Sequence, residues 1–203
     1  MSAETVTAFV TLLVVIDPVG LLPIFIALTA GMDAPERRAI ALRACAVAVA
    51  LLALFGLAGE SVLGVIGISM PAFRIAGGIL LFLTALDMLF ERRTRRREDK
   101  TGAARTDPSV FPLAIPLIAG PGAIASMVLL TGEADSAPGL AAVYAVMIAV
   151  VAIVLAFFLA APLVERLLGR IGIDVVTRLL GMLLAALSVQ FVIDGLRGVG
   201  ALS

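Results

Sequence analysis

The stretch from Thr5 to Thr29 reads TVTAFVTLLVVIDPVGLLPIFIALT and contains a single ionisable side chain, Asp17. The hydrocarbon core of a bilayer is about 30 Å thick, and a helix needs about 20 mostly apolar residues to cross it. The stretch is therefore long enough to span a membrane. Asp17, Pro18 and Gly20 fall near its middle. Proline and glycine at that depth predict a helix that is interrupted inside the membrane.

The rest of the chain has the same apolar character. Of its 203 residues, 62% are apolar and 15% are charged, whereas soluble domains have about 45–50% apolar residues and about a quarter charged. The mean hydropathy is +1.16. These values predict an all-α membrane protein. Its six predicted transmembrane helices are residues 5–29, 39–59, 71–90, 111–131, 140–163 and 176–196.

The composition also excludes several classes of function. The chain has no histidine and one cysteine, Cys45, so His-ligated metal sites, Ser-His-Asp hydrolysis and dithiol redox chemistry are excluded. No phosphate-binding G-x-x-x-x-G-K-[ST] loop is present. The 15 basic and 15 acidic residues balance, which gives no basic surface for nucleic acid. We therefore expect no enzymatic activity, no metal and no cofactor.

The arginines predict the orientation of the chain. Only Arg74 and Arg197, among 15 Lys and Arg residues, fall on one side of the six predicted spans. The positive-inside rule places the other side in the cytoplasm. Both termini are then outside, and residues 91–109 form a polar cytoplasmic linker. We expect the protein to reside in the cell (inner) membrane, with the lipid bilayer around it.

The two halves of the chain resemble each other at a nearly fixed offset. Pro18 precedes Pro121 by 103 residues, and Arg74-Ile75-Ala76-Gly77 precedes Arg178-Leu179-Leu180-Gly181 by 104. Residues 1–90 form the first predicted repeat and residues 110–203 the second, within a single membrane domain 1–203. Each repeat has three spans, so the second must be inverted relative to the first, as in many secondary transporters.

Both repeats interrupt their first span with the same residue types. Gly120-Pro121-Gly122-Ala123 stands in span four where Asp17-Pro18-Val19-Gly20 stands in span one, so each break has a proline with glycine close to it. Non-helical backbone in hydrocarbon survives only against protein or a wet cavity. The amides of residues 19–21 and 122–124 would then point into the membrane, where they favour a carboxylate or another anionic group. Two ordinary proline kinks are the alternative.

Asp17 is an ionisable group near mid-membrane, and such residues generally serve function. It would hold a substrate ammonium group, bind a coupling cation or carry a proton. Alternatively, it is only a helix cap. Thr11 and Gln190 are further polar side chains within the spans, for which we expect hydrogen bonds between helices.

Charges near the membrane faces suggest contacts between the repeats. If spans three and six pack antiparallel, Arg74 would meet Asp194 and Arg178 would meet Asp87. The alternative is a local pair between Asp194 and Arg197, three residues apart.

Three motifs resemble those of the MarC family of six-span inner-membrane proteins, which is placed near the LysE-type exporters. They are Asp17-Pro18-Val19-Gly20-Leu21-Leu22-Pro23-Ile24-Phe25, Arg74-Ile75-Ala76-Gly77-Gly78 and Pro116-Leu117-Ile118-Ala119-Gly120-Pro121-Gly122-Ala123-Ile124. Some members transport small neutral amino acids such as glycine or alanine. The resemblance implies that the substrate is held at the two broken helices. The implied site comprises Asp17, Pro18, Gly20, Gly120, Pro121 and Gly122. The amides at the two helix starts add Val19 and Ala123 to the predicted site.

The residues alone indicate a small solute with an anionic group, and the resemblance narrows it to a small neutral amino acid. We therefore expect a secondary transporter that works by alternating access, with Na⁺ or H⁺ as a coupling ion. A cation or small-solute channel or exporter is the alternative, although it would require several carboxylates at one depth. A membrane scaffold without transport is a third class, and its broken helices would serve packing only.

Overall fold

A computed structural model describes residues 3–90, 107–134 and 136–201. The predicted linker 91–109 therefore lies outside the described residues except for its last three. Within the described ranges the ordered elements are all helical. They are α1 (Ala3–Ile16), α2 (Pro18–Leu28), α3 (Ala34–Ile66), α4 (Met70–Leu89), the π-helical α5 (Ser109–Ile118), α6 (Pro121–Gly132), α7 (Ala137–Leu159) and α8 (Ala161–Gly198).

These helices confirm an all-α membrane fold. Five segments are long and apolar enough to cross a bilayer, and α5 with α6, which meet at a bend of 57°, is a sixth when the pair is taken as one span. Helices α1 and α2 together make the first span, Glu4–Leu28. The large apolar side chains on the outside of the bundle, such as Val65 at 89% exposure and Ile171 at 81%, are those that lipid would cover.

Short polar residues cap the starts of α3, α4 and α7, where the sequence changes from loop to apolar run. Asp33 and Glu36 form a capping box at the start of α3. Ser69 caps α4 through the amide of Ala72, and Ser136 caps α7 through the amide of Gly139. Each cap satisfies an amide that the first helical turn leaves without a partner. The starts of these three helices are therefore held by their own side chains.

Two helices extend beyond their predicted spans. Helix α3 has 33 residues, which is about 50 Å at 1.5 Å per residue and longer than the membrane core. It ends at Gly67, whose φ of 81° is a left-handed conformation that glycine adopts without strain. Helix α8 begins well before residue 176 but is interrupted at Gly169. Its membrane part is Ile171–Gly198.

Helices α4 and α8 pack antiparallel along most of their length. A β-carbon on Gly195 would lie 2.9 Å from the carbonyl oxygen of Pro71, and one on Gly181 would lie 3.1 Å from Cβ of Met88. The start of one helix thus meets the end of the other. The lack of side chains at these glycines lets the two backbones approach closely, as is common between transmembrane helices.

Of the two alternatives for Asp194, the pair with Arg74 is wrong and the local pair with Arg197 is confirmed. Arg74 pairs with Glu133, which follows the end of α6. Asp194 pairs with Arg197 at 3.3 Å and accepts a hydrogen bond from Gln190 at 2.9 Å. The antiparallel packing brings Arg74 and Asp194 to the same depth, but each side chain finds an opposite charge or a donor nearer to its own helix. The predicted contact between Arg178 and Asp87 stays a prediction.

Candidate functional site

The first helix break is centred on Asp17. Its backbone has φ 53° and ψ 69°, a left-handed conformation that aspartate adopts more readily than most residues. Pro18 follows and begins α2. It has no amide hydrogen, so the carbonyl of Val14 loses the donor that a continuous helix would provide. The break predicted from the Asp-Pro sequence is therefore confirmed, although α1 and α2 still form a single span.

The carboxylate of Asp17 caps α2. Its Oδ1 accepts a hydrogen bond from the amide of Gly20 at 3.0 Å, and the residue is 1% exposed. The amide of Leu21 donates to the backbone carbonyl of Asp17 at 3.1 Å. Two of the three amides expected to be available to a ligand here are thus engaged within the chain. The capping role is observed, whereas a ligand-binding role for Asp17 stays a prediction.

Gly20 brings α2 against α8. A β-carbon at this position would lie 2.1 Å from Oδ2 of Asp17 and 3.1 Å from Oγ1 of Thr177. Any larger residue would therefore displace the capping carboxylate. The Oγ1 atom of Thr177 is buried and has no hydrogen-bond partner in the part of the chain that the structure describes. The sequence analysis did not single out Thr177, whose only signal is a hydroxyl within an apolar span.

The second break lies between α5 and α6. Gly120 precedes α6 in an extended conformation and, having no side chain, provides no capping oxygen. The amide of Ile124 donates to the carbonyl of Gly120 at 2.9 Å. Pro121 has no amide hydrogen, and the amides of Gly122 and Ala123 lie in the first turn, where helical geometry supplies no acceptor. The positive end of α6 is therefore open to an anionic group.

The backbone before the second break is more irregular than the sequence analysis predicted. Phe111, Ile115 and Pro116 within α5 have non-helical φ and ψ values. Pro112 and Pro116 each remove a backbone donor, and their spacing of four residues was the signal for this irregularity. Span four is thus distorted over its whole first half, not only at Gly120.

The two breaks are neighbours in the fold. A β-carbon on Gly122 would lie 3.3 Å from Cγ1 of Val15, which is two residues before Asp17. The same point is 2.9 Å from Cδ2 of Leu81 and 3.8 Å from Oγ1 of Thr84. The first turn of α6 is therefore enclosed by the end of α1 and the middle of α4. Substitutions at Gly122 have no room to add bulk.

Three polar side chains within the spans, Thr11, Gln190 and Ser126, have a hydrogen-bonding state that the sequence did not predict. Thr11 is fully buried, but its Oγ1 has no partner among the described residues. Gln190 donates to Asp194 within its own helix, so the expected bond between helices is wrong for Gln190. Ser126, which the sequence analysis did not select, is also fully buried, with no hydrogen-bond partner for Oγ in the described ranges.

The charged groups of the described residues do not gather into a metal site, since no three Cys, Asp or Glu side chains converge there. Two long-range ion pairs among the described residues lie at opposite ends of broken span four. Arg43 on α3 binds Asp107 just before α5, and Arg74 on α4 binds Glu133 just after α6. Both ends of the broken span are thus fixed to neighbouring helices.

Comparisons with known proteins agree with this architecture. The profile described as "MarC family integral membrane protein" matches residues 3–200. The chain is 36% identical over 203 residues to the UPF0056 membrane protein YvbG of Bacillus subtilis, covering 98% of this chain and 96% of that protein. It is 33% identical over 200 residues to the UPF0056 inner membrane protein YhgN of Escherichia coli, covering 96% of each. No solved structure matches the chain.

An archaeal relative is also similar to this chain over most of its length. A UPF0056 membrane protein of Archaeoglobus fulgidus is 39% identical over 193 residues, which is 93% of this chain and 90% of that protein. The matches run nearly from end to end and include both helix breaks. This chain belongs to the MarC family of integral membrane proteins.

Proposed function

We propose that this protein is a secondary transporter of small neutral amino acids, of the glycine or alanine type. The observation that carries the proposal is the contact between the two helix breaks, where Val15 of α1 lies against Gly122 of α6. Broken spans whose ends meet inside the membrane form the usual substrate site of transporters built from repeats. Pro18, Val19, Gly20, Gly120, Pro121, Gly122 and Ala123 line these two ends together with Asp17.

The geometry supports a division of the amino acid's two charges between the breaks. The carboxylate binds at the start of α6, because the amides of Gly122 and Ala123 have no helical acceptors and no side chain caps them. The start of α2 is unsuited to a carboxylate, because the carboxylate of Asp17 already occupies its Gly20 amide. This refines the symmetric arrangement expected from the sequence.

The ammonium group of the substrate belongs on the side of α1. The last turn of α1 carries the negative end of a helix dipole. The carbonyl of Val14 lacks a helical donor, because Pro18 has no amide hydrogen. The carbonyl of Ile16 lacks one because the amide of Gly20 donates to the side chain of Asp17 instead. Asp17 or one of these carbonyls would accept the ammonium hydrogens. Val15 and Leu81 lie against Gly122, and this tight packing favours a substrate with a short side chain.

Helix pairing supports two inverted three-helix repeats as the moving parts. Helix α2 packs on α8 as α6 packs on α4, and α1 packs on α7 as α5 packs on α3. When α1–α4 are exchanged for α5–α8 in order, the first pairing of each of these two sets becomes the second. The antiparallel pair α4 and α8 lies at the centre of this exchange. Rocking of one repeat against the other would open the site alternately to each side, driven by Na⁺ or H⁺.

Counterflow in proteoliposomes tests the proposal. Vesicles that contain the purified protein and unlabelled glycine should accumulate external labelled glycine, and alanine should compete. Counterflow requires a carrier that exposes one site alternately, so a channel would equilibrate the label without accumulation. A scaffold would give neither result. Sodium and proton gradients, imposed one at a time, should identify the coupling ion by raising net uptake. Absence of counterflow for both amino acids would overturn the proposal.

A further inference from the structure

Ser126 presents a fully buried hydroxyl without a hydrogen-bond partner. It is 0% exposed, and its Oγ contacts neither a donor nor an acceptor in the described part of the chain. Such a group is costly, because it has left water without compensation. A bound ligand or a buried water can supply the partner that such a hydroxyl lacks.

The other hydroxyls on the spans show what Ser126 lacks. Ser188, equally buried on α8, donates to the carbonyl of Ala185 at 2.6 Å. Thr131, further along α6, donates to the carbonyl of Met127 at 2.9 Å. A hydroxyl in a helix readily bonds a carbonyl three or four residues earlier. Ser126 does not do so, although the carbonyls of Gly122 and Ala123 are at that spacing.

The position of Ser126 on α6 indicates what its partner would be. It lies one helical turn after Gly122, on the same face. Side chains in helices lean toward the N-terminus, so its hydroxyl lies over the turn that holds the amides of Gly122 and Ala123. Gly120 leaves that turn without a side-chain cap. Two amides and one hydroxyl, all of them donors, thus lie within the first two turns of a helix of 12 residues.

We infer that Ser126 is a substrate-binding residue whose hydroxyl donates to the carboxylate of the amino acid, beside the Gly122 and Ala123 amides. The inference rests on the proposed function, since it names a further ligand of the same site. A carboxylate has two oxygens that accept several hydrogen bonds. One oxygen would take the amides and the other the hydroxyl. The hydroxyl is therefore without a partner only while the substrate is absent.

Two alanine variants of the purified full-length protein test this role. Ser126→Ala removes a donor to a charged group and should raise the Kd for glycine about tenfold or more. Without glycine, its thermal stability should equal or exceed that of the parent, because the lost hydroxyl had no partner. Ser188→Ala is the matched control. It should lower thermal stability, because it breaks a bond that exists, and it should leave the Kd for glycine unchanged.

The outcomes separate this inference from the proposed function. If the parent protein does not bind glycine or alanine, the proposed function fails and the role of Ser126 fails with it. If the parent binds glycine and Ser126→Ala binds it equally well, only the inference is overturned. A loss of unliganded stability in Ser126→Ala like that in Ser188→Ala would also overturn it, because the hydroxyl would then be bonded to a structural water.

Discussion

The rings of Phe25 and Phe158 stack face to face, with centroids 4.2 Å apart and planes 4° from parallel. Both side chains are fully buried. Phe25 belongs to α2, a half-helix of 11 residues that begins at the first break. Phe158 lies near the end of α7, a helix of 23 residues that spans the membrane. The stack therefore joins the short half-helix to a long one and helps to position the break.

Loss of this stack should destabilise the protein. Phe158→Ala is expected to lower the free energy of unfolding by about 3–5 kcal/mol, because it leaves a cavity in a packed core. Phe82→Ala is the control, since that ring is 40% exposed on the outside of α4 and should cost far less. Unfolding in detergent, followed by circular dichroism, measures both. Equal losses in the two variants would show that the stack carries no special weight.

Bulk at Gly20 should disable the site through Asp17. The methyl group of Gly20→Ala would fall on Oδ2 of Asp17, 2.1 Å from the ideal β-carbon position, so the cap must shift. We expect loss of glycine counterflow with the protein still inserted in the membrane. Gly64→Ala on α3 is the control, because nothing lies within 4 Å of its added carbon. Normal counterflow by Gly20→Ala would remove Gly20 and the cap from the proposed site.

Asp17→Asn separates the charge of Asp17 from its capping role. Asparagine keeps an oxygen for the Gly20 amide and tolerates the left-handed backbone, so the fold should be retained while glycine counterflow is lost. Asp17→Ala should cost about 1–2 kcal/mol of stability for the left-handed backbone and about 1 kcal/mol for the cap. Thermal unfolding and counterflow measure the two effects. Full transport by Asp17→Asn would reduce the residue to a cap.

The sequence predicted both helix breaks because proline and glycine act locally. Pro18 and Pro121 cannot donate the hydrogen bond that a continuous helix needs at their positions, whatever surrounds them. The six spans were predictable for a similar reason, since membrane thickness fixes their length. The long extensions of α3 and the early start of α8 were missed, because hydropathy measures membrane crossing and not where a helix ends.

Contacts between distant residues were not predictable from the sequence. The partner of Arg74 is Glu133 instead of Asp194, although both acidic residues were expected on the same side of the membrane. Which acidic residue pairs with Arg74 depends on the rotation of α4 about its axis. In the structure this rotation turns the Arg74 side chain toward Glu133 at the end of α6. Thr177 and Ser126 were missed because a hydroxyl in an apolar span usually bonds its own helix. Only the packed structure shows that their oxygens have no such bond in the described ranges.

Stability should fall at low pH in part through Asp107. The backbone amide of Ser109, 3.0 Å from Oδ1, and then the guanidinium of Arg43 hold the pKa of this carboxyl below its ordinary value of 3.8. A lowered pKa in the folded state stabilises the fold above the pKa of the unfolded chain. That contribution is lost as the pH falls through the pKa of the folded state.

Asp107→Asn provides the comparison for this pH dependence. The variant should be less stable than the parent near neutral pH, and the difference should shrink as the solution is acidified below about pH 4. Thermal unfolding measured between roughly pH 3 and 7 would show the two curves converging. A constant difference across that range would mean that the charge of Asp107 does not contribute and that only its shape matters.

The last prediction concerns the sides of the membrane. Asp107 is paired with Arg43, near the start of α3, whereas Glu133 is paired with Arg74, at the start of α4 beyond the far end of α3. The two ends of span four therefore lie at opposite ends of the bundle. The distribution of arginines then predicts that the Asp107 end lies in the cytoplasm. Single cysteines at Thr106 and Ser136 report the two ends, in a Cys45→Ala background that replaces a buried thiol with a small apolar side chain. A membrane-impermeant maleimide should label Ser136→Cys in intact cells and Thr106→Cys only after permeabilisation. The reverse pattern would invert the orientation while keeping the fold, and labelling of both from one side would contradict span four as a single crossing.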